Sequence, residues 1–236
     1  MSEGSRTSVA DEKGRRLDAA TGIVAVVFWL AGFLLPGAPP KVDDTTHQIT
    51  SFFVDKRSEL LAGDFLIALG CVAFLWWLGS LRSYLRSAEG GEGRLSAAAF
   101  GGGIAGVALL TAGVCVLSAA VFKVAGLGDL VVNRALFDTS GFLITAAGVG
   151  FAITLAAASC SAARSGALPP WLYWLGSVAA AIQLLTLIGL FAESGFFAGG
   201  GPLAFIGFFI AAIWIVATSV AIMRRGGVPP VARTAP

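Results

Sequence analysis

Charge is what this sequence has least of. Only 13% of its 236 residues are Asp, Glu, Lys or Arg, where a soluble domain carries about a quarter. It has a single histidine, His47, and three cysteines. One histidine excludes bis-histidine haem ligation between helices and HExxH zinc chemistry, because each needs two. Cys71, Cys115 and Cys160 stand far apart, inside or beside apolar runs, with no CxxC pair. They read as small packing residues rather than a redox or metal site. There is no GxSxG elbow, and the triple glycine at 101–103 lacks the GK[ST] ending of a P-loop. No ligand spacing points to a metal, and no motif points to a cofactor. The net charge of +2 comes without a basic patch interleaved with aromatics, which argues against nucleic acid as a partner.

What the sequence has is apolar length. Hydrophobic residues make up 56% of it, and the mean hydropathy is +0.83. These residues fall into six runs, at 21–35, 60–81, 97–121, 136–159, 171–191 and 203–223. Most approach the roughly 20 residues that an α-helix needs to cross a bilayer core about 30 Å thick. The expected fold is all-α: a polytopic transmembrane bundle of six helices over 19–225, with an outer loop at 36–59. Residues 1–18 and 226–236 are polar or proline-rich and are expected to be disordered tails, since neither can bury enough apolar area to offset its ordering entropy. The first run follows Arg15 and Arg16, as in a signal peptide, but a small-x-small cleavage site is missing and Pro39 follows Ala38. It is therefore read as a retained anchor.

Orientation follows from Lys and Arg. With the N-terminus inside, the inner segments hold Arg6, Lys13, Arg15, Arg16, Arg82, Arg86, Arg94, Arg164, Arg224, Arg225 and Arg233. The outer segments hold only Lys41, Lys56, Arg57, Lys123 and Arg134. Both termini are thus expected in the cytoplasm.

Because lipid gives helices no hydrophobic reason to associate, small residues mark their seams. Gly102 and Gly106 form a GxxxG in the third run, and Ala146 pairs with Gly150 in the fourth. The segments 64–78 and 141–155 share Phe, Leu, Ile, Val, Phe and Leu at matching positions, which suggests a duplicated helical hairpin.

Candidate site residues gather toward the outer face. Asp64, Asp138 and Glu193 lie near the outer ends of their runs, and His47 and Arg57 lie in the first outer loop. Ionisable groups at membrane depth are costly and tend to be paired or functional. One reading makes the three carboxylates the floor of a small polar site for a cation, a proton or a polar ligand. The other makes them helix caps, or partners of Arg57, Lys123 or Arg134. Gln183 is the most polar residue near the middle of the fifth run. Within the loop, HQITSFFVDK at 47–56 suits a short helix with an apolar face, lying on the membrane surface as a lid over that patch.

Three segments also carry a resemblance: FFVDKRSELLAGDFL at 52–66, FLWWLGSLRSYLRSAEG at 74–90 and LPPWLYWLG at 168–176. Together they resemble an uncharacterised family of small bacterial multi-pass membrane proteins. The resemblance implies a bacterial inner membrane and carries no catalytic residue over. Three functions then compete. The first is a non-enzymatic binding or accessory protein whose partners are membrane lipids, another protein or a second copy of the chain. The second is a transporter or channel for a small solute or ion through an outward-facing polar site. The third, ranked last, is a membrane enzyme using the outer carboxylates.

Overall fold

A computed structural model describes residues 3–225, with side chains from residue 14 onward except Val124. The tail expected at 226–236 lies outside the described residues. All regular structure among the described residues is helical: α1 (Glu3–Leu34), α2 (Thr46–Asp55), α3 (Arg57–Glu89), α4 (Arg94–Ala119), α5 (Ala125–Leu127), α6 (Leu130–Ser165), α7 (Pro170–Leu185) and α8 (Pro202–Arg224). A π-helical turn, Ala120–Val124, joins α4 to α5, and a 3₁₀ turn, Thr186–Leu190, continues α7. Six helical segments are long and apolar enough to cross a membrane: Gly14–Leu34, Arg57–Glu89, Arg94–Leu127, Leu130–Ser165, Pro170–Leu190 and Pro202–Arg224. They coincide with the six apolar runs.

Local chemistry sets the helix ends. Pro36 follows α1, and Pro170 and Pro202 open α7 and α8, where the missing N–H costs nothing. Asp129 caps α6 by accepting from the Val132 N–H at 3.1 Å. Thr45 and Gln48 form a capping box at α2. The α3–α4 hairpin turns through Gly90 and Gly91 at positive φ. Helices nevertheless outrun the apolar runs. α3 has 33 residues, about 50 Å at 1.5 Å per residue, so it projects well past a bilayer core. α1 likewise begins at Glu3, inside the stretch expected to be disordered. Propagating a helix that already exists adds one hydrogen bond per residue fixed, and the costly nucleation step is not repeated.

The helices form a ring in chain order. α1 packs on α3, α3 on α4, α4 on α6, α6 on α7, α7 on α8, and α8 on α1 closes it. Every neighbour is antiparallel, so α1 begins and α8 finishes at one end, called here the terminal end; the loops at 35–45 and 191–201 lie at the other, the loop end. The tightest seam is α4–α6. A Cβ on Gly102 would stand 2.8 Å from the Gly150 carbonyl oxygen, and one on Gly113 would stand 3.0 Å from that of Ser140. Gly102, Gly106 and Gly150 therefore sit where the sequence placed them. Ala146 does not: it is half-buried, while Ala147 is buried with its carbonyl against Gly106. The α6 stripe at 140, 144, 147, 150 and 154 follows helical spacing, and Ala146 lies one step around from it.

Aromatic rings fill the axis of the ring. Trp29, Phe74 and Phe151 meet at centroid distances of 5.1, 6.2 and 5.8 Å, Phe74 meets Trp77 at 5.4 Å, and Trp77 meets Trp214 edge-on at 6.1 Å. Each buried indole is seated on a glycine of a neighbouring helix: Trp29 on Gly70, Trp77 on Gly22 and Trp214 on Gly176. The matched segments of α3 and α6 agree in burial at some pairs and differ at others, Ile67 and Phe74 being buried where Ile144 and Phe151 are half-buried. Phe65 and Phe142 are exposed, as are Val72 and Val149, while Leu78 and Leu155 are buried.

Candidate functional site

The polar residues singled out in the sequence lie mostly at the loop end, where α2 and the chain around it cover the ring. α2 forms where the sequence places it, but its apolar face turns onto protein rather than lying free on a membrane surface. Ile49 and Phe53 are buried against Leu60, Ala120, Val121 and Ala125. A buried hydrogen bond pins it, with the Asn133 amide donating to Thr50 Oγ1 at 2.9 Å.

Arg134 organises the loop before α2. Its Nε donates to Asp138 at 2.8 Å, Nη1 to the Asp44 carbonyl at 3.0 Å and Nη2 to the Val42 carbonyl at 2.7 Å. One planar fork thus ties an irregular stretch to α6, a geometry that a lysine ammonium cannot supply. Asp138 is therefore the i+4 partner of Arg134, as the pairing alternative expected.

Asp64 is buried in α3 and accepts a hydrogen bond from Ser118 Oγ of α4 at 2.5 Å. Two residues beyond Ser118 the π-helical turn begins. Such a turn breaks the regular ladder, and Arg57 donates to its Phe122 carbonyl at 3.0 Å while stacking over the Phe122 ring at 5.4 Å. Arg57 also borders an open groove of about 380 Å³ walled by Val54, Phe122 and Leu127. His47 is exposed on α2, and Glu193 is exposed in the loop after the 3₁₀ turn. Gln183, half-buried in α7, reaches the Gly207 carbonyl of α8 at 3.4 Å.

These residues do not converge. Asp64, Asp138 and Glu193 share no hydrogen bond or ion-pair partner among the described residues. No group of three or more His, Cys, Asp or Glu among those residues is placed to hold a metal ion. Some polar residues of the spans are spent locally as well, while the hydroxyls of Ser159, Ser161 and Thr218 are buried without a hydrogen-bond partner among the described residues. Thr154 Oγ1 lies 3.0 Å from both the Ala99 and Gly150 carbonyls, stitching α4 to α6, and Thr186 Oγ1 donates to the Gln183 carbonyl at 2.7 Å.

Sequence reasoning passed over Asn133, Thr50 and the reach of Arg134 to Val42 and Asp44. The i, i+4 spacing of Arg134 and Asp138 was visible, but partners 83 to 92 positions apart carry no local signal. A second polar cluster, at the terminal end, was also missed. Trp76 Nε1 donates to Asp18 at 2.8 Å, joining α3 to α1. Glu89 accepts the Leu95 and Ser96 N–H groups at 2.8 and 3.0 Å, capping the start of α4. The Ala167 carbonyl accepts from both Tyr84 and Arg225. Compared with known proteins, the chain matches no family model, no curated protein and no solved structure.

Proposed function

We propose that the chain is a non-enzymatic binding or accessory protein of the bacterial inner membrane, with both termini in the cytoplasm, which associates with a partner protein or with lipid. The observation that carries this reading is the aromatic axis. Passage of a solute through the bundle needs a polar route along its centre, and there Trp29, Phe74, Phe151, Trp77 and Trp214 pack ring on ring. Catalysis needs polar groups converging on one cavity, and the carboxylates here are separated, Asp64 going to Ser118 and Asp138 to Arg134. What the molecule leaves open lies on its flanks and at its loop end, where binding takes place.

The orientation rests on the basic residues. Arg15, Arg16, Arg82, Arg86, Arg94, Arg164, Arg224 and Arg225 belong to the terminal end, which the positive-inside rule turns to the cytoplasm. The bacterial inner membrane rests on the resemblance carried by 52–66, 74–90 and 168–176. The test is a native mass spectrum of the full chain, extracted gently with its lipids. A stoichiometric protein or lipid adduct supports the reading. A bare particle that passes solute in proteoliposomes, with flux lost on replacing Gln183 or Glu193 by alanine, overturns it in favour of transport.

A further inference from the structure

A lateral groove of about 630 Å³ opens at the terminal end on the flank of α3, within the ~300–1,000 Å³ range of small-molecule sites. Its floor is the α3 stripe of Gly79, Ser80 and Ser83, α1 contributes Arg15 to one wall, and Phe100 of α4 stands in the other. Arg82 stacks on Phe100, its guanidinium carbon 5.0 Å from the ring centroid. Arg15 thus lines the groove directly and Arg82 stands against Phe100 of the other wall, while the Ser83 hydroxyl of the floor donates to the Gly79 carbonyl of its own helix. Among the described residues of the groove the carboxylate is Asp18, which accepts the Trp76 indole N–H and holds that ring against α1. The Ser80 hydroxyl makes no hydrogen bond among the described residues, and a Cβ on Gly79 would meet nothing within 4 Å.

The groove is graded along the helix. Toward the middle of the span its walls are Leu75 and Trp76, and further up α3 the same flank continues as exposed Val72, Leu69 and Phe65. Toward the terminal end it becomes Ser80, Ser83 and Ser87. An apolar slot facing the bilayer centre, with hydroxyls and arginines at headgroup level, has the polarity of a phospholipid of that leaflet.

The geometry points to a binding site for one anionic phospholipid, its phosphate between Arg15 and Arg82 over the serine floor and an acyl chain along Leu75 and Trp76. Arginine suits the phosphate because its fork bonds two oxygens at once. This inference rests on the binding reading above and names its lipid class.

The test adds dioleoylphosphatidylglycerol to the delipidated full chain and follows the adduct by native mass spectrometry, with dioleoylphosphatidylcholine and inorganic phosphate in parallel. The expected result is a single phosphatidylglycerol adduct that outlasts the phosphatidylcholine adduct on collisional activation and is not displaced by inorganic phosphate. Gly79→Leu puts a side chain into the groove from a position whose Cβ meets nothing within 4 Å, so the adduct should be lost, and the unfolding midpoint measured alongside should be kept. Arg15→Gln weakens it about fivefold, as for one arginine at an anionic lipid. Val149→Leu, a lipid-facing control on α6, leaves it unchanged. An adduct that survives Gly79→Leu, equal retention of phosphatidylcholine, or displacement by inorganic phosphate overturns the site. A protein partner retained in that same spectrum would leave the binding reading standing without the lipid site.

Discussion

Between α4 and α6, glycines of one helix meet the backbone of the other, as Gly32 and Gly63 do at one point between α1 and α3; elsewhere in the α1–α3 seam, and between α7 and α8, glycines meet an indole ring. In lipid neither seam is driven by the hydrophobic effect, so each depends on how many atoms reach contact. The α4–α6 seam reaches contact by removing side chains, and the Gly150 Cα then faces Gly102 and Gly106 directly. The indole contacts keep a large ring and remove only the side chain opposite it, as Gly70 does for Trp29 and Gly176 does for Trp214. The first kind has no rotamer with which to relax. The second places the rings at the axis, where they stack on Phe74 and Phe151 and fill what would otherwise be a channel.

That contrast can be broken in order of effect. Gly150→Leu should be the most damaging single change. It forces two backbones apart and costs more than the ~1–3 kcal/mol of ordinary overpacking, so size-exclusion chromatography should give no monodisperse peak. Trp77→Ala should cost ~3–5 kcal/mol, the usual cost of emptying a large buried aromatic site. Reversible unfolding in mixed micelles measures it, and Trp174→Ala, at an exposed position, should stay below about 1 kcal/mol. Equal losses from the two tryptophans would remove the distinction between axis and periphery.

Arg134→Ala should act locally. Residues 41–45 lose their clamp while the ring stays closed, so protease cutting in that loop should accelerate with little change in the unfolding midpoint. Unchanged cutting would mean that the bonds to Val42 and Asp44 do not hold the loop. The smallest effect belongs to Gly79→Ala, within about 0.5 kcal/mol of the parent, because its Cβ enters open space. A large loss there would mean that α3 packs differently from the ring described.

The spans were legible because bilayer thickness imposes a length that composition cannot hide. Helix ends were less so. α3 runs on through Arg82, Ser83 and Arg86 because a helix does not stop where the membrane does, only where Gly90 and Gly91 turn the chain. Gly102, Gly106 and Gly150 were legible from spacing, whereas Ala146 and Ala147 are neighbours in the chain and only the true stripe separates them. The indole seats had no signal at all, since pairing Trp29 with Gly70 requires the register of two helices. The sequence grouped Asp64, Asp138 and Glu193 by expected depth, but depth fixes one coordinate, and the partners of each carboxylate depend on where its helix stands around the ring.

Closure of that ring by α1 against α8 is the claim on which the filled axis depends, and Phe33 and Phe208, with centroids 5.1 Å apart, report on it. With the three native cysteines replaced, the Phe33→Cys/Phe208→Cys pair should be joined within one chain by a short bismaleimide in native membranes, giving a faster-migrating monomer in denaturing gels. Cross-links that form only between chains, or not at all while each cysteine remains reactive alone, would contradict the closed ring.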